Sequence, residues 1–158
     1  MTVISSLLRS DEYKGEVVEP TDFFKTAELL KTQVNEEAHI RTSISRSYYA
    51  AFLYFREWLK ARGLEKKIKP SQGIHAFVIQ CLGFSQVSEG RKASKYLHDL
   101  QQRREDADYC LDKKLSQNDA EDTFACARKA VDDYNITVTK ESELIENARN
   151  FAIQKSWI

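Results

Sequence analysis

The apolar positions of this chain follow a helical period almost throughout. Between about Glu36 and Arg62, Ile40, Ile44, Tyr48, Phe52, Phe55 and Leu59 recur at steps of four, four, four, three and four. Such steps keep side chains on one face of an α-helix, whereas a half-buried strand would alternate in twos. Gly63 is placed to stop that helix. Before it, Pro20-Thr21-Asp22 opens a helix with Thr21 or Asp22 as cap and Phe24, Ala27, Leu30 and Val34 as its inner stripe. Lys69-Pro70-Ser71 starts a third helix that carries Ile74, Phe77, Val78 and Cys81 and ends near Gly83. Ser88 caps a fourth, running to about Leu111. Asn118 with Glu121 forms a capping box for a fifth, whose stripe is Ala120, Phe124, Ala127, Val131 and Tyr134. After a break at 135–139, Leu144, Ala148, Phe151 and Ala152, followed by Trp157-Ile158, predict a sixth.

These elements predict an all-α fold. An arm at 1–19 precedes an antiparallel helical bundle of about five helices over 20–136, and 137–158 is a C-terminal helical extension. Only two prolines and five glycines interrupt 158 residues, which favours helices over a many-turned β architecture. No internal repeat or low-complexity tract breaks the pattern.

Charge changes the picture locally rather than globally. Lys and Arg total 24, as do Asp and Glu, so the chain as a whole exerts no pull on nucleic acid or membrane. A polyanion must be held by a patch. Six basic residues against Glu57 and Glu65 lie between Arg56 and Lys69, a run that also reads as a solvated helix end and loop. Three cysteines, Cys81, Cys110 and Cys126, are odd in number, widely spaced and without a CxxC, which points away from disulfides and zinc and toward a reducing cytoplasm. No stretch reaches the roughly 20 apolar residues of a membrane span, and none resembles a signal peptide.

The aromatic run "RSYYAAFLYF" (46–55) is mostly core: Tyr48, Phe52 and Phe55 lie on the stripe, with Tyr54 and Trp58 beside it. Ala50 and Ala51 keep the helix thin where a neighbour crosses. Tyr49, Arg46 and Arg56 fall off the stripe, where they suit a second packing surface, a dimer contact or a nucleic-acid contact.

A sharper anomaly lies in the fourth helix. Ala93, Leu97, Leu100, position 104, Ala107 and Leu111 are spaced four, three, four, three and four, and position 104 is Arg104. A guanidinium cannot shed its charge, and leaving it unpaired on an apolar face would cost several kcal/mol. It needs an anionic partner, a polar cleft or a subunit boundary. Asp108 follows one turn later, but Arg before Asp is the poorer order for an isolated helical pair. Two readings stand: an ion pair clamping two helices, or a functional cleft.

"RTSISRSYYAAFLYF" (41–55), a histidine early in the next helix (His75), "LQQRREDADY" (100–109) and "LSQNDAEDTFACARKAV" (115–131) resemble, in order and spacing, the HEPN superfamily over roughly 22–135. The resemblance is nearest to the prokaryotic branch encoded beside minimal nucleotidyltransferases. It implies a homodimer of five-helix bundles, without cofactor or metal. Many such proteins are metal-independent endoribonucleases of toxin–antitoxin or defence systems. Their motif is an arginine followed, after four to six residues, by a histidine, from both subunits, in a shared cleft. Arg103 or Arg104 matches the arginine. Asp108 stands five after Arg103, in the histidine's place, and Tyr109 is nearest to the tyrosine that a nucleotidyltransferase antitoxin adenylylates in toxin relatives.

The aspartate matters chemically. Metal-free RNA cleavage needs a base for the 2′-hydroxyl, an acid for the leaving oxygen and positive charge for the phosphorane. Arginine supplies the charge, but an ionised aspartate repels phosphate and donates no proton. His39, His75 and His98 are the remaining proton carriers. His98 shares one side of the fourth helix with Tyr109 and is a candidate substitute. Glu36-x-x-His39 has di-iron spacing but occurs once, and no Gly-rich phosphate loop, GxSxG or HExxH is present. The resemblance thus carries two roles: an RNA-targeting effector, or a non-catalytic dimer serving as scaffold or nucleotide-binding partner of a nucleotidyltransferase.

Overall fold

The structure, a computed structural model, describes residues 17–33, 36–67 and 73–158. Within them lie six helices and no strand: α1 (Asp22–Gln33), α2 (Glu37–Lys60), α3 (Ile74–Gly83), α4 (Ser88–Tyr109), α5 (Gln117–Asp132) and α6 (Val138–Gln154). The expected all-α bundle with an added C-terminal helix is what forms. Most of the arm (1–16), Val34 of the α1 stripe, and the Lys69-Pro70-Ser71 start of the third helix lie outside the described residues.

α2 is the central element and packs against α1, α3, α4 and α5. All six positions of its stripe are buried, and Ala50 and Ala51 are fully so. The helix ends as its glycine predicts. Gly63 sits at φ 76°, Leu64 N–H returns to the Leu59 carbonyl at 3.0 Å and Gly63 N–H to that of Lys60 at 2.9 Å. This is the Schellman arrangement, and Leu64 is buried by the reversal.

Two helix starts differ from expectation. The capping box of α5 is built by Ser116 and Asp119, not by Asn118 and Glu121. Ser116 has extended backbone and its hydroxyl accepts from Asp119 N–H at 3.3 Å, while Asp119 Oδ2 accepts from Ser116 N–H at 2.7 Å. Asn118 is already the second residue of the helix, too late to cap it. Ser88 likewise is the first residue of α4 rather than its cap, a place taken by Val87 without a side-chain bond. Leu111, the last position of the predicted α4 seam, lies past the helix end and is 77% exposed.

α6 is joined to the same core. Leu144, Ala148 and Ala152 are fully buried in the cluster that holds Phe24, Tyr48, Phe55, Phe77 and Leu97. Its approach is fixed at the α3–α4 elbow. A Cβ on Gly90 would stand 2.4 Å from Ser85 Oγ, 2.8 Å from the Leu82 carbonyl and 3.0 Å from Leu144 Cδ1. Asn147 donates to the carbonyl of the buried Ser85 at 2.8 Å, and Arg62 pairs with Glu141 at 2.8 Å. No helix among the described residues is long and apolar enough to cross a membrane.

Candidate functional site

α2 and α4 run antiparallel, so Arg41 meets the C-terminal end of α4 while Tyr48 meets Arg104 nearly two turns along. The last turn of a helix leaves carbonyls without partners. Here Arg41 fills them: Nη1 donates to the carbonyls of Ala107 (2.9 Å), Cys110 (3.2 Å) and Asp106 (3.3 Å), and Nη2 to that of Lys113. Glu37 accepts from the same Nη2 at 2.7 Å and balances the charge. This clamp holds the turn that carries Asp108 and Tyr109.

Arg104 occupies the inward position that its spacing predicts and is 7% exposed. Its Cζ lies 5.4 Å from the Tyr48 ring centroid, 5.7 Å from Tyr49 and 5.8 Å from Tyr109. Three ring faces around one desolvated guanidinium give it quadrupolar stabilisation in place of water. Its polar contacts are looser. Nη1 donates to Tyr109 Oη at 3.4 Å and lies 3.8 Å from Asp108 Oδ2, and Nε is buried without a hydrogen-bond partner. Ser45 donates to the same Asp108 oxygen at 3.3 Å. The pairing is too long for a tight bidentate clamp, so the guanidinium keeps unused donor capacity.

The residue that sequence spacing did not bring to this place is His75. From α3 its Nδ1 lies 2.5 Å from Tyr48 Oη, and its ring lies against Phe52 at 4.2 Å and Tyr49 at 6.1 Å. Tyr48 is fully buried, and burial pushes its phenol well above the ordinary range, so it keeps its proton while sharing a hydrogen bond with Nδ1. Burial first, then the Arg104 charge, holds the imidazole pKa below its usual value, and the ring is neutral at pH 7. The one signal for His75 in the sequence was its place in the resemblance.

The other candidates divide. Arg46 and Tyr49 come together, Cζ standing 5.0 Å from the ring, with Phe23 at 5.7 Å on the other side. Tyr49 is half-buried among Tyr48, Phe52 and His75, and so belongs to the Arg104 wall rather than to a separate outer face. Arg56 pairs with Glu57 at 2.6 Å, farther along α2. Arg103 turns to α5, where Nη1 meets Thr123 Oγ1 at 3.4 Å, and leaves Arg104 as the arginine among the tyrosines. His98 is exposed beside Asp99, and eleven helical residues put it about 16 Å along the axis from Tyr109. Tyr109 is 72% exposed, although its hydroxyl accepts from the buried Arg104 guanidinium. Among the described residues, no group of three or more His, Cys, Asp or Glu is placed to hold a metal ion.

Compared with known proteins, the chain matches no family model, no curated protein and no solved structure.

Proposed function

We propose that this protein is a HEPN-type homodimer that engages RNA through the Arg104 cleft, as the effector of a prokaryotic toxin–antitoxin or defence system. One observation carries the reading: a permanently charged side chain stands buried in an inward slot of α4, ringed by tyrosines, and donates to the hydroxyl of Tyr109, a residue that is itself mostly exposed. A buried arginine costs stability unless something gains from it, and preorganised positive charge in a dry wall is what a developing phosphorane requires. Arg104 supplies that charge. His75, neutral and fixed by the Tyr48 hydroxyl, supplies the imidazole that position 108 lacks. Tyr109 is the accessible hydroxyl on which a nucleotidyltransferase partner acts.

A second reading is favoured by Asp108. Its carboxylate is held by Ser45 and lies within 3.8 Å of the guanidinium, where it opposes phosphate. On that reading the same dimer binds nucleotide or RNA without cutting it and serves as the regulatory partner of the nucleotidyltransferase.

Expression of the wild-type chain and of Arg104→Lys separates the two. Growth arrest and RNA degradation by purified wild-type protein, both lost in the variant, are expected of the effector. No arrest and no degradation by clean wild-type protein leaves the non-catalytic partner. A mass gain of AMP units on Tyr109, after incubation with a nucleotidyltransferase encoded beside it, identifies the control step.

A further inference from the structure

The basic run at the end of α2 is not an isolated solvated loop. The Schellman reversal at Gly63 turns the chain back, and Lys67 N–H then donates to the Trp157 carbonyl at 3.3 Å. This contact brings the C-terminal segment, which lies outside the family resemblance, against the run. Lys66 Nζ lies 5.2 Å from the Trp157 ring centroid, and Arg149 of α6 reaches back to donate to the Arg62 carbonyl at 3.3 Å. Together they enclose an open groove of about 730 Å³ lined by Lys60, Lys66, Lys67 and Arg149, with Ile153 and Ile158 as its apolar floor. Four cations face one acid, Glu65, which pairs with Lys60 at 3.5 Å. Lys67 and Arg149 have no carboxylate partner among the described residues.

The groove also has a direction. A smaller one of about 200 Å³ shares Lys60, Glu65 and Lys66 with it and continues to Arg56 and Ile74, the residue before His75. Cations therefore line a path from α6, past the end of α2, to the start of α3. In a chain with no net charge, such clustering is local by construction. A strip of cations with an aromatic ring at its side matches the backbone and bases of a single strand, which binds through phosphates and stacking without sequence readout.

We propose that this groove is a binding track for single-stranded RNA, with Lys67 and Arg149 as phosphate contacts. On the reading given above, which this inference extends, the track feeds the strand toward His75 and Arg104. The test is fluorescence anisotropy of a labelled single-stranded oligouridylate of about twelve nucleotides, from about 20 to 200 mM salt. Reversal of both charges, Lys67→Glu with Arg149→Glu, is expected to weaken binding at least about tenfold and to flatten the salt slope by about 1.4, the contribution of two single-strand phosphate contacts. The neutral pair Lys67→Gln with Arg149→Gln, showing an unchanged unfolding midpoint, is expected to weaken binding in the same direction and so excludes misfolding as the cause. Unchanged affinity and slope in both pairs would overturn the track, as would failure of the wild-type protein to bind the oligomer at the lowest salt. Weakening in both pairs alongside an Arg104→Lys variant that behaves as wild type in growth and RNA degradation would support the track and remove the effector reading alone.

Discussion

Tyr48 Oη and His75 Nδ1 are 2.5 Å apart across the junction of α2 and α3, and the phenol is the buried partner. The ring is buried beside the phenol, and burial lowers its pKa, so stability must depend on pH in a definite sense. His75 has a lower pKa in the folded protein than in the unfolded chain. Above about 6.5 the ring is neutral in both states and its contribution is complete. As pH falls below that value the unfolded chain takes up the proton first, and the contribution drains away toward the folded pKa. Urea unfolding of wild type and His75→Gln at pH 7.5 and pH 5 is expected to show a stability gap that narrows in acid. A gap of constant size would mean that the ring is not held neutral.

Arg104 is a buried charge with incomplete pairing, and its replacement tests the proposed role against stability. Its Nε is buried without a partner and its nearest carboxylate is 3.8 Å away. A buried charge with imperfect pairing is often replaced by an apolar side chain of similar volume at no loss, or at a gain of about 1–2 kcal/mol. Methionine fits the tyrosine-lined slot and keeps the aromatic contacts. Arg104→Met is therefore expected to unfold at equal or higher urea concentration and, on the proposed effector role, to lose growth arrest and RNA degradation. A marked destabilisation would show the guanidinium to be chiefly a structural clamp.

Arg41 ties α2 to the end of α4. Removing its guanidinium takes a charged donor from the carbonyls of Asp106, Ala107 and Cys110, and charge-assisted bonds of this kind are worth about 2 kcal/mol together. Arg41→Ala is expected to lose about that much stability and to speed amide exchange at Cys110, whose N–H bonds to the Asp106 carbonyl. Arg41→Lys, a point charge without the fork, is expected to restore only part of it.

The capping box of α5 is open to a direct comparison. Ser116→Ala is expected to cost about 1 kcal/mol, because its hydroxyl and the Asp119 carboxylate satisfy each other's backbone donors. Asn118→Ala, inside the helix and exposed, is expected to change stability by less than about 0.5 kcal/mol. The reverse ranking would return the box to Asn118 and Glu121.

The long α2 stripe was legible because six apolar positions sample one period over 24 residues, and no other structure satisfies them all. Arg104 was legible for the same reason, as a charge standing in an apolar register. The box was misplaced by two residues because Ser116-x-x-Asp119 and Asn118-x-x-Glu121 both fit the pattern. What decides between them is Leu115, packed against Ile40, Ile44, Ala107 and Ala120, which anchors the chain just before Ser116. His75 escaped because its meeting with Tyr48 depends on how α3 crosses α2, about which periodicity within each helix is silent. Arg41 escaped because its partners are backbone carbonyls, which every residue possesses.

The missing side chain of Gly90 makes two remote properties move together. Because α4, the Ser85 turn and Leu144 share a space that admits no methyl group, the seat of α6 is dictated by a single hydrogen atom. A Gly90→Ala protein would carry every charge of the native one and yet shift α6, and with it the Arg149 contact to the Arg62 carbonyl. If the proposed track is occupied, the seat of α6 links it to the elbow, and a strand bound beside Lys67 is then expected to slow amide exchange around Ser85.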